Sequence, residues 1–259
     1  MIPKIIHLCW LSGDAYPSLI QQCIDSWKRH LPDYEIWVWD TKRFDVNSTL
    51  WTRQAFECKK YAFAADYIRL YALYHEGGIY LDSDVMVYKS FDDLLDLPYF
   101  IGEDFIHLFE PAIMGCEPGN PWIGQVLERY ENRPFIKADG SYDMVALPLV
   151  FQQQLAGMYD FKRIAGKDQF VDAPHVMNIF RYDFFNGRDY IGAVRYPEGY
   201  CSHCFTGSWL KTESPFKTWL RQVMPRRLVN MLYYLRYRQT DLATKQIPYA
   251  DPKDLKLIF

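Results

Sequence analysis

Residues 62–85 read AFAADYIRLYALYHEGGIYLDSDV, and this stretch decides the fold of the chain. Alanine, leucine and arginine recur at helical spacing as far as Glu76, which predicts a helix. Gly77 and Gly78 end that helix, because glycine adopts the left-handed backbone conformation without steric cost. Ile79–Leu81 has the β-branched and aromatic composition of a short strand. A helix that leads directly into a buried strand is typical of an open α/β sheet.

Two carboxylates, Asp82 and Asp84, follow directly after this strand. Ligands of open α/β sheets bind at the carboxyl ends of the strands. Alternation along an extended chain would put both side chains on the same side, where their mutual repulsion favours a bound cation. Carboxylate oxygens suit Mn²⁺ or Mg²⁺, and such a cation can also hold a diphosphate. The alternative is a polar turn that contains two acids without a metal.

Asp66 and Arg69 lie three residues apart on the predicted helix, so they share one face. We expect Arg69 to bond a sugar hydroxyl or a phosphate, and Asp66 to accept from sugar hydroxyls. The alternative is a simple ion pair within the helix, which contributes only about 0.3–0.5 kcal/mol when it is exposed. The alanine, leucine and tyrosine residues around the pair favour a position facing away from open water.

The pattern A-x-x-A-D-x-x-R-x-x-x-L-x-x-x-G-G-x-Y-x-D-x-D, residues 62–84, resembles the sugar-transferase region that contains the DXD motif in glycosyltransferase family 32. That family includes bacterial capsule and lipopolysaccharide transferases, yeast Golgi mannosyltransferases and, more distantly, the large clostridial glucosylating toxins. The resemblance implies a GT-A type α/β fold: a Rossmann-like mixed sheet flanked by helices, with a helical C-terminal segment.

The same resemblance implies an activity. The expected enzyme is a metal-dependent, retaining hexosyltransferase that uses a nucleotide diphosphate sugar, with UDP favoured over GDP as the nucleotide. Its expected acceptor is a glycan or a lipid-linked oligosaccharide in capsular or lipopolysaccharide synthesis. A non-enzymatic carbohydrate-binding protein and another metal-dependent diphosphate enzyme, such as a nucleotidyltransferase, are the alternatives.

The resemblance also assigns roles to individual residues. As catalytic residues, Asp82 and Asp84 would bind Mn²⁺ or Mg²⁺, while Asp66 and Arg69 would orient the donor sugar. Further contacts with the nucleotide sugar are expected from Leu8, Cys9, Trp10, Ser83, Ser208 and Trp209. His203 begins the pattern H-x-x-x-x-S-W and would be a third metal ligand. A zinc site made by Cys201, His203 and Cys204 is a competing interpretation.

The remaining chain predicts further strands and helices. Lys4–Trp10 and Tyr34–Trp39 read as strands around the helix Pro17–Leu31, which implies a parallel pair with a right-handed crossover. His7, in the first strand, is interpreted as a structural histidine or as a nucleotide contact. The other predicted strands are Val85–Tyr88, Tyr99–Glu103 and Ala112–Cys116, with a loop at Asp104–Pro111 between the last two.

Composition excludes some classes of function. Hydrophobic residues make up 49% of the 259 residues and charged residues 24%, which is ordinary for a globular protein. The net charge of −3 gives no support for general nucleic-acid binding. The six scattered cysteines indicate reduced thiols, and no signal-peptide pattern opens the chain. We therefore expect a cytoplasmic protein that reaches a lipid-linked acceptor from the inner face of the membrane.

Two regions are expected: a catalytic domain at residues 1–215 and a basic C-terminal segment at 216–259. Between 216 and 238 six lysine and arginine residues interleave with apolar residues, and no acidic residue occurs. Such a segment can lie on an anionic lipid surface as a peripheral membrane contact. The alternative is a closing helix that packs on the core with its arginine residues in water.

Overall fold

The computed structural model describes residues 1–104, 107–186 and 199–204. The helices are α1 (Ser18–His30), α2 (Leu50–Glu57), α3 (Tyr61–Glu76), α4 (Pro121–Glu128), α5 (Leu147–Leu155) and α6 (Tyr182–Phe185). The strands are β1 (Ile5–Cys9), β2 (Glu35–Trp39), β3 (Gly78–Leu81), β4 (Val85–Val87), β5 (Tyr99–Glu103), β6 (Phe109–Cys116), β7 (Asp160–Ile164), β8 (Val176–Phe180) and β9 (Cys201–His203).

Seven of the described strands form one mixed sheet in the order β2-β1-β3-β6-β5-β8-β7. Strand β6 is antiparallel to both of its neighbours, and the other paired strands in this sheet are parallel. The carboxyl ends of β1, β3 and β5 and the beginning of β6 therefore lie at the same side of the sheet. A separate antiparallel pair joins β4 to β9. The predicted α/β class, a mixed sheet flanked by helices, is confirmed.

The first β-α-β unit forms as predicted, with β1 and β2 parallel. Helix α1 buries an apolar face that includes Ile24 and Trp27. The Trp27 indole N–H donates to Val85 O at 2.7 Å, and the Val87 N–H donates to Ser26 Oγ at 2.9 Å. Helix α1 therefore holds β4, the strand that follows Asp84, in a fixed position.

The junction of α3 and β3 is built around two glycines with positive φ, Gly77 (66°) and Gly78 (88°). A Cβ atom at Gly78 would lie only 2.7 Å from Ile5 O, so the close approach of β3 to β1 requires glycine. Next to this junction, His7 Nε2 bonds Gly77 O at 2.6 Å, and His7 Nδ1 accepts from the Trp39 indole at 3.0 Å. Burial lowers the pKa of His7 to about 4, so the ring is neutral. These contacts support the structural interpretation of His7.

Strand β6 has an irregular pairing with β5 near its first residues, at the side of the sheet where β3 and β5 end. Ile101 pairs with Met114, but the next residue, Gly102, pairs with Glu110, so the intervening residues 111–113 have no partner on β5. The predicted strand Ala112–Cys116 is therefore too short, because pairing with β5 resumes beyond the irregularity and β6 begins at Phe109. Bulges of this kind re-aim side chains and are common beside functional sites.

Among the described residues, none belongs to a helix long and apolar enough to cross a bilayer. The predicted boundary between residues 215 and 216 lies outside the described part of the chain, as do the basic segment 216–238, Ser208 and Trp209. The two regions and the membrane contact therefore stay predictions.

Candidate active site

Asp82, Ser83 and Asp84 form a turn between β3 and β4. The Val85 N–H donates to Asp82 O at 3.0 Å and closes this turn, while the Asp82 N–H donates to Ala112 O at 2.9 Å. The expected alternation along an extended chain is wrong, because the chain turns directly after Asp82. The two carboxylates nevertheless converge, and the turn is what brings them together.

Asp82, Asp84 and His203 each offer one ligand atom within 4.8 Å of the other two. His203 reaches this position because β9 pairs with β4, which places His203 opposite Val85. The His203 Nε2 atom lies 3.3 Å from Asp84 Oδ1. Two carboxylates and one imidazole suit Mn²⁺ well and Mg²⁺ less well, and they leave further coordination positions for phosphate or water. The residues present therefore fit a divalent cation.

Arg69 is the cation already present beside these carboxylates. Its Nη2 atom lies 3.2 Å from Asp66 Oδ1 and 3.3 Å from Asp82 Oδ1, and its Nη1 donates to Pro111 O at 2.9 Å. The Tyr80 hydroxyl also donates to Asp82 Oδ1 at 2.8 Å. Arg69 is only 6% exposed, so the ion pair with Asp66 does not face open water. The guanidinium therefore orients both carboxylates from inside the protein.

Asp66 has an unusual acidity in this setting. Burial raises the pKa of its carboxyl to about 7, although the neighbouring Arg69 acts in the opposite direction. The side chain is 11% exposed, so a small part of it is open to solvent. A carboxyl that changes charge near neutral pH beside a cation site is a common feature of functional sites.

Sequence reasoning missed three consecutive residues of β6 at its bulge: Glu110, which directly precedes the unpaired residues, and Pro111 and Ala112, which are unpaired with β5. Glu110 Oε1 lies 3.3 Å from His203 Nδ1, whereas Pro111 O and Ala112 O accept hydrogen bonds from Arg69 and from the Asp82 backbone. Burial alone would lower the pKa of His203, but the carboxylates of Glu110 and Asp84 raise it well above its usual value. No sequence signal marks these residues, because their position depends on a bulge between distant strands.

The predicted nucleotide contacts Leu8, Cys9 and Trp10 lie at and directly after the end of β1, which pairs with β3. Burial raises the pKa of the Cys9 thiol, and the charge of Arg69 opposes that shift. Leu8 is 1% exposed and packs in the core, so its contact with the nucleotide stays a prediction. The Trp10 indole donates to Asp14 O at 2.8 Å. Ser83 is partly exposed within the turn.

The competing zinc site receives no support from the described residues. The group of potential ligands found in residues 1–104, 107–186 and 199–204 contains His203 but neither Cys201 nor Cys204. The buried Cys201 thiol donates to Phe185 O at 3.5 Å, and Phe185 O is not one of the atoms that contact His203.

The turn with its carboxylates lies within a region that matches a family of sugar-binding regions. The glycosyltransferase sugar-binding region containing the DXD motif matches residues 17–101 of this chain. The matched residues run from α1 through the Asp82–Asp84 turn to β5, so they include most of the site. The family resemblance seen in the sequence is thereby confirmed.

Two curated yeast proteins are similar to the chain. Inositol phosphoceramide mannosyltransferase 3 of Schizosaccharomyces pombe is 32% identical over 133 residues, which cover 49% of this chain and 36% of that protein. Mannosyl phosphorylinositol ceramide synthase of Saccharomyces cerevisiae is 30% identical over 166 residues, or 59% of this chain and 43% of that protein. The match thus spans less than half the length of either relative.

A solved structure titled PaToxG Glycosyltransferase is also similar to the chain. It superposes with a TM-score of 0.47 and 22% sequence identity over 60% of this chain and 69% of that chain.

Proposed function

We propose that the chain is a metal-dependent glycosyltransferase that transfers a sugar from a nucleotide diphosphate sugar to a hydroxyl group of an acceptor. The observation that carries this proposal is the convergence of Asp82, Asp84 and His203 beside the buried Asp66–Arg69 pair. A divalent cation held there would neutralise the charge that develops on the departing diphosphate. Asp66 and Arg69 lie on α3, His203 lies on β9, and the turn that carries Asp82 and Asp84 is held between β3 and β4, which makes the site rigid.

The contacts of Arg69 refine its proposed role. Both of its terminal nitrogens already bond protein acceptors, and the side chain is 7% exposed. We therefore assign Arg69 to the orientation of Asp66 and Asp82, and the contact with the sugar hydroxyls to Asp66. Asp82 would contact the ribose and the metal, and Asp84 the metal.

The donor and the acceptor are proposed from two different sources. The sequence resemblance favours a UDP-sugar and a capsular or lipopolysaccharide acceptor. The names of the two yeast relatives favour a mannose donor, hence GDP as the nucleotide, and an inositol phosphoceramide acceptor. Both alternatives share a lipid-linked or glycan hydroxyl as acceptor. Retention of the anomeric configuration is proposed from the sequence resemblance alone.

A panel of UDP- and GDP-sugars tests the function directly. We expect one or a few donors to release nucleotide in the presence of Mn²⁺, and chelation by EDTA to abolish that release. Nucleotide release is measured by a coupled assay, and sugar binding by calorimetry. Binding of free sugars without any need for nucleotide or metal would contradict the proposal and favour the carbohydrate-binding alternative.

Because of the raised pKa of Asp66, we expect donor binding to depend on pH. Its pKa of about 7 means that the carboxylate, the form that accepts from sugar hydroxyls, becomes dominant above neutral pH. Donor affinity should therefore rise about four- to eightfold between about pH 6 and about pH 8, since hydrogen bonds to a charged group are stronger by about 1–2 kcal/mol. A bound Mn²⁺ favours the carboxylate form and moves this rise toward lower pH. Calorimetric titration across this range measures the change.

The matched variant is Asp66→Asn, which keeps the shape of the side chain but does not titrate. Its donor affinity should be weak and nearly independent of pH over the same range. The free energy of unfolding depends on pH in the opposite direction. Because folding raises the pKa of Asp66, ionisation of this carboxyl lowers the free energy of unfolding as pH rises from about 4 to about 7. Equal pH profiles for the wild type and the variant would show that Asp66 does not contact the donor.

A further inference from the structure

Glu110 contacts the ring nitrogen of His203 that does not face Asp84. Glu110 Oε1 lies 3.3 Å from Nδ1, whereas Asp84 Oδ1 lies 3.3 Å from Nε2. The side chain of Glu110 is 5% exposed, so a buried carboxylate is held against the ring. Within the part of the chain that the structure describes, its second oxygen, Oε2, has no hydrogen-bond partner.

The bulge in β6 explains why Glu110 is there. Gly102 on β5 pairs with Glu110 after three residues of β6 have been skipped, and this shift re-aims the side chains at the edge of the sheet. The Ala112 N–H, inside the bulge, donates to Glu110 Oε1 at 3.4 Å, and Ala112 O accepts from the Asp82 N–H at 2.9 Å. The same short segment therefore anchors Glu110 and the first carboxylate of the turn.

We propose that Glu110 is a positioning residue that accepts a hydrogen bond from His203 Nδ1–H and so turns Nε2 toward Asp82 and Asp84. The argument is chemical: a histidine that binds a metal through one nitrogen commonly donates its other N–H to a carboxylate, which fixes the ring orientation and the tautomer. Two carboxylates and a correctly oriented imidazole then form one site. This inference rests on the proposed metal site and adds a residue to it.

The test is the Mn²⁺ affinity of the donor-free protein, measured by electron paramagnetic resonance. Glu110→Gln should weaken Mn²⁺ binding about 10–100-fold, the usual effect of losing such an outer carboxylate. In a His203→Gln background, Glu110→Gln should cause no further loss, because Glu110 acts through His203. A merely structural role would lower the melting temperature without this dependence on His203.

Glu103→Gln is the matched control. Glu103 is a fully buried glutamate at the end of the neighbouring strand β5, and it pairs with Arg163 and His107. Its replacement should lower stability but leave Mn²⁺ affinity within about twofold of the wild type. Wild-type Mn²⁺ affinity in a folded Glu110→Gln protein would overturn the inference and leave the proposed function standing. Absence of Mn²⁺ binding by the wild type would overturn both.

A second measurement needs no variant. In the Mg²⁺-bound wild-type protein, the ¹⁵N chemical shifts of His203 should show the tautomer with the proton on Nδ1. The tautomer with the proton on Nε2 would overturn the inference even if Glu110→Gln failed to fold.

Discussion

Asp84→Asn should reduce the Mn²⁺-dependent release of nucleotide by about 10²–10³-fold, the size of effect seen when one electrostatic contact to a developing charge is removed. Asp84 is 7% exposed, lies at the end of the turn and is 3.3 Å from His203 Nε2. An amide of the same shape keeps the fold but offers the cation a neutral ligand. Mn²⁺ affinity should fall together with turnover. Nucleotide release, metal titration and circular dichroism together measure these changes.

Asp96→Asn serves as the control for charge removal. Asp96 pairs with Lys167 on the surface, with a side chain that is 65% exposed, so this change should leave turnover and metal affinity at wild-type values. Unchanged turnover in a folded Asp84→Asn protein would remove the central assignment. Lost turnover with wild-type Mn²⁺ affinity would place Asp84 outside the metal site.

The part of the site that the sequence could predict is local in the chain. Helix α3, the glycine stop, β3 and the Asp82–Asp84 turn are consecutive, so propensity and glycine chemistry predict their order without reference to distant residues. The Asp66–Arg69 pair follows from helical spacing alone. The conformation of Asp82–Asp84 was less predictable, since a turn and an extended chain can both bring two carboxylates together.

The rest of the site depends on contacts between distant parts of the chain. His203 reaches Asp84 through the pairing of β9 with β4, and a resemblance, rather than any local pattern, suggested it. Glu110 falls in the segment Asp104–Pro111, which the sequence predicts as a loop, because a bulge is not encoded in the alternation of residue types. The energy that positions these two side chains comes from sheet pairing, which a single sequence does not reveal.

Arg69→Gln should lower the free energy of unfolding by about 3–5 kcal/mol, because removal of one partner from a buried ion pair leaves an uncompensated charge. Arg69 contacts two carboxylates, Asp66 and Asp82, and the Pro111 carbonyl, while it is 6% exposed. Glutamine is too short to replace these contacts. Urea unfolding at about pH 8, where Asp66 is ionised in the folded wild type, measures the loss.

The half-exposed pair Lys4–Asp92 offers the control, since Lys4→Gln should cost only about 0–1 kcal/mol. A second change separates charge from packing: Asp66→Asn, added to Arg69→Gln, should recover part of the lost stability because it removes one of the stranded carboxylates. If Arg69→Gln instead costs no more than Lys4→Gln, Arg69 does not hold the carboxylates in place. If the double variant is no more stable than Arg69→Gln, the lost stability comes from packing of the arginine side chain. The positive charge of Arg69 is then not needed to stabilise the Asp66 carboxylate.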